Sequence, residues 1–189
     1  MRNAVTLLTT LFWIWQLSAG TLRGVEADFT QIRTLKELDM RLTVTGFMRC
    51  EPGKRLKWAV KTPLPAVTLI EKERLTHCDI SSGKTAVIDA AALPVLKVLN
   101  HAFTAWMSGD VDALKKDFTV TEIAPEKVLL SSNRPGFAFG KVELSFAAGR
   151  QAVEKIFITE KSGDTVEIRF SDLRFDPVWN ENHWKPDLK

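Results

Sequence analysis

Leu93–Gly109, LPVLKVLNHAFTAWMSG, is the stretch around which the rest of the chain is arranged. Pro94 suits a first helical position, where its missing N–H would have had no intrahelical partner. Gly109 follows the last periodic residue, as a glycine that ends a helix does. Lys97, Asn100, His101, Thr104 and Ser108 fall on one face at helical spacing. Val95, Leu96, Val98, Leu99, Ala102, Phe103, Trp106 and Met107 cover the remainder. That apolar arc is wider than the stripe a surface helix needs. The helix therefore either sits in an ordinary core on a sheet or lies across a groove that something else can fill.

On both sides of this helix the sequence alternates at the period of a strand. Ala27–Arg33 has Phe29 as its inward residue. Leu42, Val44, Gly46 and Met48 alternate with Thr43, Thr45, Phe47 and Arg49. Glu51-Pro52-Gly53-Lys54 is a turn signal. Leu56, Trp58 and Val60 then alternate with Lys57, Ala59 and Lys61, which predicts a hairpin with one apolar and one wetted face. Pro63 and Pro65 end that strand. Val67–Ile70, Arg74–Ile80 and Thr85–Ile88 continue the meander. After the long helix, Asp110 can cap a short one over Val111–Asp117, with Asp112 in its first turn. Strands follow at Phe118–Ile123, Lys127–Ser131, Lys141–Phe146, Ala152–Glu160 and Thr165–Leu173. Asn133–Gly140 is a loop or a single helical turn. The last strand sets Val166, Ile168 and Phe170 against Glu167, Arg169 and Ser171. The expected class is α+β: one large, curved antiparallel sheet with a helix pair inserted midway. One long helix is little cover for such a sheet.

With 189 residues and 45% apolar content, one domain with a proper core is expected. A net charge of +3 is too small to argue for nucleic acid, and no basic cluster interleaves with aromatics. Six Trp and eleven Phe with no Tyr favour apolar contact over hydrogen-bonding aromatics. Met1–Gly20 reads as a secretory signal: Arg2 supplies a positive start, Ala4–Leu17 carries no charge, and Ser18-Ala19-Gly20 are small. The run is short for a spanning helix and contains Gln16. A first helix of the fold itself is the alternative. Cleavage would leave residues 21–189 as one domain.

No G-x-S-x-G elbow, glycine-rich phosphate loop or H-E-x-x-H occurs. His77, His101 and His183 are far apart and lack neighbouring ligands at metal spacing. Glu160 and Asp164 bracket a turn, where exposed acids are routine. No enzyme, metal or cofactor is expected. Cys50 sits at the hairpin tip and Cys78 in a strand of the same meander. In an exported chain an even count favours one disulfide between them; two separate buried thiols are the alternative.

Ala27-Asp28-Phe29-Thr30-Gln31, then Gly46, then Leu56-Lys57-Trp58 and a Pro-bearing turn resemble the outer-membrane lipoprotein carrier (LolA-like) family. Leu93-Pro94 through Ser108-Gly109-Asp110 resembles an insertion of a divergent branch, as do Gly163-Asp164 and Ile168-Arg169-Phe170. Trp184-Lys185-Pro186 is similar to the family's terminal aromatic-x-Pro. The likeness spans nearly all of the mature chain and rests on the order of these segments.

The resemblance implies an incomplete β-barrel whose apolar concave face is partly closed by helices. It implies a periplasmic chaperone that binds the acyl chains of lipoproteins and carries them towards the outer membrane. On this reading Phe29, Met48, Leu56, Trp58 and Val60 line one part of the concave face, and Val166, Ile168 and Phe170 another. Leu96, Leu99, Phe103 and Trp106 form the lid. Membrane-bound donor and acceptor proteins are the implied partners of a monomer, with no nucleic acid. Family members commonly place an Arg beside the Pro of the first hairpin turn. Here the turn is Glu51-Pro52-Gly53-Lys54-Arg55, so the implied cargo widens from lipoproteins to another lipid-like amphiphile. The rival from another class is an envelope sensor or protein-interaction module built on the same half-barrel. Export has a direct test: N-terminal sequencing of the protein from a periplasmic fraction should read from Thr21. An intact Met1 would reject cleavage and make the segment a structural helix.

Overall fold

The structure, a computed structural model, describes residues 22–71, 74–89, 105–107, 111–115, 118–131, 139–147 and 152–188. The segment expected as a signal, Asp110, and most of the 93–109 helix and the 133–140 loop lie outside the described residues. Of that helix, residues 105–107 are described and are helical.

Six strands come first: β1 (Val25–Leu35), β2 (Met40–Glu51), β3 (Arg55–Thr62), β4 (Ala66–Glu71), β5 (Arg74–Asp79) and β6 (Thr85–Asp89). A short helix, α1 (Val111–Leu114), precedes five more: β7 (Thr119–Ala124), β8 (Lys127–Ser131), β9 (Phe139–Phe146), β10 (Val153–Glu160) and β11 (Thr165–Phe175). A 3-10 turn, Glu181–Trp184, lies near the C-terminus. The strands form one sheet in the order β6-β5-β4-β3-β2-β1-β11-β10-β9-β8-β7. Every neighbour pair is antiparallel. Two meanders thus meet in mid-sheet where β1 pairs β11, and among the described residues the sheet is open, ending at β6 and β7. The expected strands are all present. Those of the second half match within a residue or two, and β1 and β2 run longer than the alternation indicated.

Local sequence explains the turns. At the β2–β3 hairpin Gly53 takes φ 72°, a left-handed conformation that costs glycine nothing, and Lys54 N donates to Glu51 O at 3.0 Å. Pro63 has no N–H to offer the ladder, and β3 stops at Thr62.

Alternation then sorts side chains onto two faces. The inner face carries the main core: Val25 and Phe29 of β1, Met48 of β2, Leu144 of β9, Ile156 of β10 and Phe170 of β11, all below 9% exposed. Ala105, Trp106, Met107 and Leu114 belong to the same cluster. The outer face holds a small second cluster of Phe47, Ala59 and Val67, with Ile80 and Leu188 against it.

Two expectations are corrected. Cys50 and Cys78 are buried thiols and not a disulfide. Cys50 stands opposite Leu56, in line with Ile70 and Leu75, whereas Cys78 stands opposite Val67, in line with Ala59 and Phe47. They therefore occupy opposite faces, three strands apart. At about 4.8 Å per strand that is roughly 14 Å, twice the Cα separation a disulfide spans. The face of β3 expected to be wetted is only partly so. Lys57 is 0% exposed, because the C-terminal segment covers it.

Gly46 shows how closely the inner face is fitted. A Cβ there would run into Ala59 O and the Phe29 ring. Gly46→Ala should lower stability by about 1–3 kcal/mol, as overpacking does. Urea unfolding measures it, and an unchanged midpoint would contradict the seating of Phe29 over Gly46.

Candidate functional site

The residues expected to line the apolar face are brought together. Phe29, Met48, Leu56, Ile168 and Phe170 are buried in the main cluster, and Trp58, Val60 and Val166 are half-buried against it. Register is the cause. Met48 stands opposite Trp58, Gly46 opposite both Phe29 and Val60, and Phe29 opposite Phe170. Because Gly46 has no side chain, Phe29 reaches across it to stack on Trp58, with centroids 3.9 Å apart and planes at 22°. Phe170 meets the same indole edge-on at 6.4 Å. Such pairs add about 0.5–1.5 kcal/mol to their area burial. Trp106 is 5% exposed and joins the cluster. Leu96, Leu99 and Phe103 lie outside the described residues.

Beyond Trp58 the same face changes character. Its row continues through Thr68 and His77, whose Oγ1 and Nδ1 are 2.9 Å apart. The adjoining row runs Ile70, Leu75 and Ile88, and all three are partly open to water. The apolar wall is therefore largely buried from β1 through β8, with Val166 half-buried, and opens further from Trp58 towards β6. Among the described residues no group of three His, Cys, Asp or Glu could hold a metal.

The outer face carries an ionic arrangement that alternation did not reveal. Residues 179–188 lie on the outer side of β1–β4. Trp184 is 4% exposed, meets Trp179 edge-on at 5.1 Å, and has the Arg55 guanidinium 4.2 Å over its ring. A Cβ on Gly24 would run into the Trp179 ring. Asn180 caps the 3-10 turn in a reciprocal pair with His183. His183 O accepts from Arg49 Nη1 and from Lys57 Nζ, both at 3.1 Å, and Asp187 Oδ1 lies 3.3 Å from Lys57 Nζ. Glu26 gathers Arg49 Nε at 3.0 Å, Arg174 Nη2 at 2.7 Å and Trp179 Nε1 at 3.1 Å. Burial holds the Lys57 ammonium below its ordinary pKa, against the opposing pull of Asp187. Burial works against ionisation of Glu26, but its bonds to Trp179 and Arg49 outweigh that and hold its carboxyl below the usual range. The one sequence signal for this arrangement was the pair Trp179 and Trp184 beyond the last strand.

The family model described as "Outer membrane lipoprotein carrier protein LolA" matches residues 20–186. The chain belongs to the LolA family. No curated protein matches it by sequence. Among solved structures it is similar to a LolA superfamily protein from Nitrosomonas europaea, with 9% identity, TM-score 0.50, and 87% of this chain and 91% of that one covered. An uncharacterized conserved protein from Thermus thermophilus gives 10% identity and TM-score 0.54 over 88% and 86% of the two chains. The MucA/MucB complex of Pseudomonas aeruginosa contains a chain similar at 11% identity and TM-score 0.52. That match covers 87% of this LolA-family chain and 56% of that one. At these identities the likeness is one of fold.

The pH dependence of Glu26 follows from its partners. A carboxylate held below 4.5 in the folded state lends stability that is fully present above that value and is lost as pH falls through the folded pKa. Glu26→Gln should therefore flatten the acid side of the stability profile. Urea midpoints measured from neutral pH down to about pH 3 test this, and an acid limb of unchanged slope would exclude the cluster as its source.

Proposed function

We propose that this chain is a periplasmic carrier that takes the acyl chains of lipoproteins, or another lipid-like amphiphile, onto its apolar inner face. In this reading residues 1–20 direct export and are removed, and residues 21–189 act as one half-barrel domain. The carrying observation is the Phe29–Trp58–Phe170 wall, largely buried on one side and left half-open at Trp58 and Val60. Membership of a family described by its lipoprotein carrier supports the same reading.

The physics needs no reaction. Moving an acyl chain from water onto an apolar wall is worth about 0.8 kcal/mol per buried CH₂ before the cost of opening the site. A half-buried indole is well suited to that exchange. Its ring has Phe29 on one face and Phe170 at its edge, and the part of it still open to water can trade that water for methylenes. Leu96, Leu99, Phe103 and Trp106 serve in this proposal as a lid. Trp106 and Met107 lie in the inner cluster, which favours such a role. Cargo has to leave again, so a lid that packs on the wall without bonding to it is what a carrier requires. Membrane-bound donor and acceptor proteins stand at the two ends of the route, and the carrier moves between them as a monomer.

A fluorescent acyl probe tests the reading. The unmutated protein should take it up, and Trp58→Glu should abolish uptake, because bound chains would strip water from the new carboxylate at a cost of several kcal/mol. Trp58→Phe, which keeps the stack on Phe29, should retain most of it. No uptake by the unmutated protein, or unchanged uptake by Trp58→Glu, would rule the carrier out.

A further inference from the structure

The β1–β2 hairpin reaches past the strand beside it. β1 accompanies β2 from Val25↔Cys50 to Leu35↔Met40, whereas β3 pairs with β2 only from Glu51 back to Thr45. Thr45 Oγ1 and Thr62 Oγ1 lie 2.6 Å apart at that last rung, and Pro63 cannot donate to a further one. Residues 40–44 therefore have no strand on their outer side among the described residues. Among the described residues this is an open edge in the middle of an otherwise paired sheet.

The side chains on that edge are unusual for one facing water. Met40 is 40% exposed and Leu42 43%, and both continue the inner-face line of Met48, which is fully buried. Leu38 at the hairpin tip and Leu64 in the turn after β3 are 68% and 77% exposed. Two of these large apolar residues, Met40 and Leu42, stand on the stretch itself, which pairs with β1 on one side only, and the other two lie in the turns at the ends of β1 and β3. On the opposite face Arg41 is exposed, and no acidic partner is found for it among the described residues.

Exposed apolar patches of this kind mark contacts with a membrane or with another protein. The open edge decides between them. A bilayer would welcome the leucines but leave the N–H and C=O groups that residues 40–44 point away from β1 without partners, at several kcal/mol for each group. An added strand satisfies both requirements, its backbone completing the ladder and its alternate side chains packing on Met40 and Leu42. Residues between those side chains fall opposite Arg41, where an acid makes a favourable cross-strand pair and a base a repulsive one.

We propose that residues 40–44 dock an extended segment of a partner protein in which apolar and acidic residues alternate. This surface is separate from Trp58 and its surroundings, so it stands or falls independently of acyl-chain binding.

The probe is a fluorescein-labelled peptide containing Val-Glu-Val-Glu-Val, compared with its Val-Lys-Val-Lys-Val counterpart and with an acidic version N-methylated at alternate amides. Anisotropy titration with the full chain should show the acidic peptide binding about fivefold to tenfold more tightly than the basic one. Arg41→Glu should reverse that order, Leu42→Lys should weaken both, and the N-methylated peptide should fail to bind. Both substitutions are at exposed positions, and thermal unfolding checks that the fold is kept. Several results would overturn the proposal: binding of neither peptide, an order unmoved by Arg41→Glu, or equal binding of the N-methylated peptide. It would also fall if Leu42→Lys dissolved a dimer seen in sedimentation, which would make a second copy the occupant. The same holds if it removed binding to phosphatidylglycerol vesicles that the peptides do not compete for.

Discussion

Everything in this molecule depends on the pairing of β1 with β11. It joins the first strand of one meander to the last strand of the other, along a register running from Val25↔Phe175 to Thr34↔Thr165 with one irregularity near Glu26. Each half alone has a single apolar face and too little to set against it. Together they place Phe170 beside Phe29, and Phe29 against Trp58, so that three strands share one aromatic wall. The same seam aligns Glu26 with Arg174 and Arg49 on the other face. One ladder thus organises an apolar inner surface and an ionic outer one.

The two faces are held by different physics. Inside, stabilisation comes from removing apolar area from water, a term without direction that tolerates exchange of one apolar neighbour for another. Outside, Lys57 and Arg49 are desolvated beneath residues 179–188 and compensated by His183 O, Asp187 and Glu26. Such an arrangement is demanding in geometry, because a buried charge that loses its partner is costly. The consequence is a division of labour. The outer face fixes the backbone of β1–β3, and the inner face of those strands is then free to remain incompletely packed near Trp58.

Much of this was legible in the sequence wherever alternation was strict. Val166, Ile168 and Phe170 against Glu167, Arg169 and Ser171 specified both a strand and its orientation, and Leu56, Trp58 and Val60 did the same. Local pattern carries no information about partners distant in sequence. Nothing in Cys50 or Cys78 says that they fall on opposite faces; that follows from the parity of three intervening ladders. Lys57 reads as a wetted residue by alternation, and it is the fold of a segment more than a hundred residues later that buries it. The overhang of β2 is hidden for the same reason, since Leu42 looks like core by alternation, and only the end of β3 at Thr62 leaves it exposed. The proposal of Leu96, Leu99 and Phe103 as a lid rests on helical periodicity and family likeness, since they lie outside the described residues.

The central position of β1 and β11 also bears on how the chain comes into being. The contacts of highest sequence separation are the ones at the centre of the sheet, so loop-closure entropy is lost before the aromatic wall can form. A growing chain that has not yet supplied Thr165–Phe175 holds β1 as a bare edge, with one flank of Phe29 uncovered. Synthesis from the N-terminus can supply every strand of the β1–β6 ladders early, but the aromatic wall is incomplete until β11 arrives. The strand made last among the eleven is thus the one that closes the seam beside the strand made first.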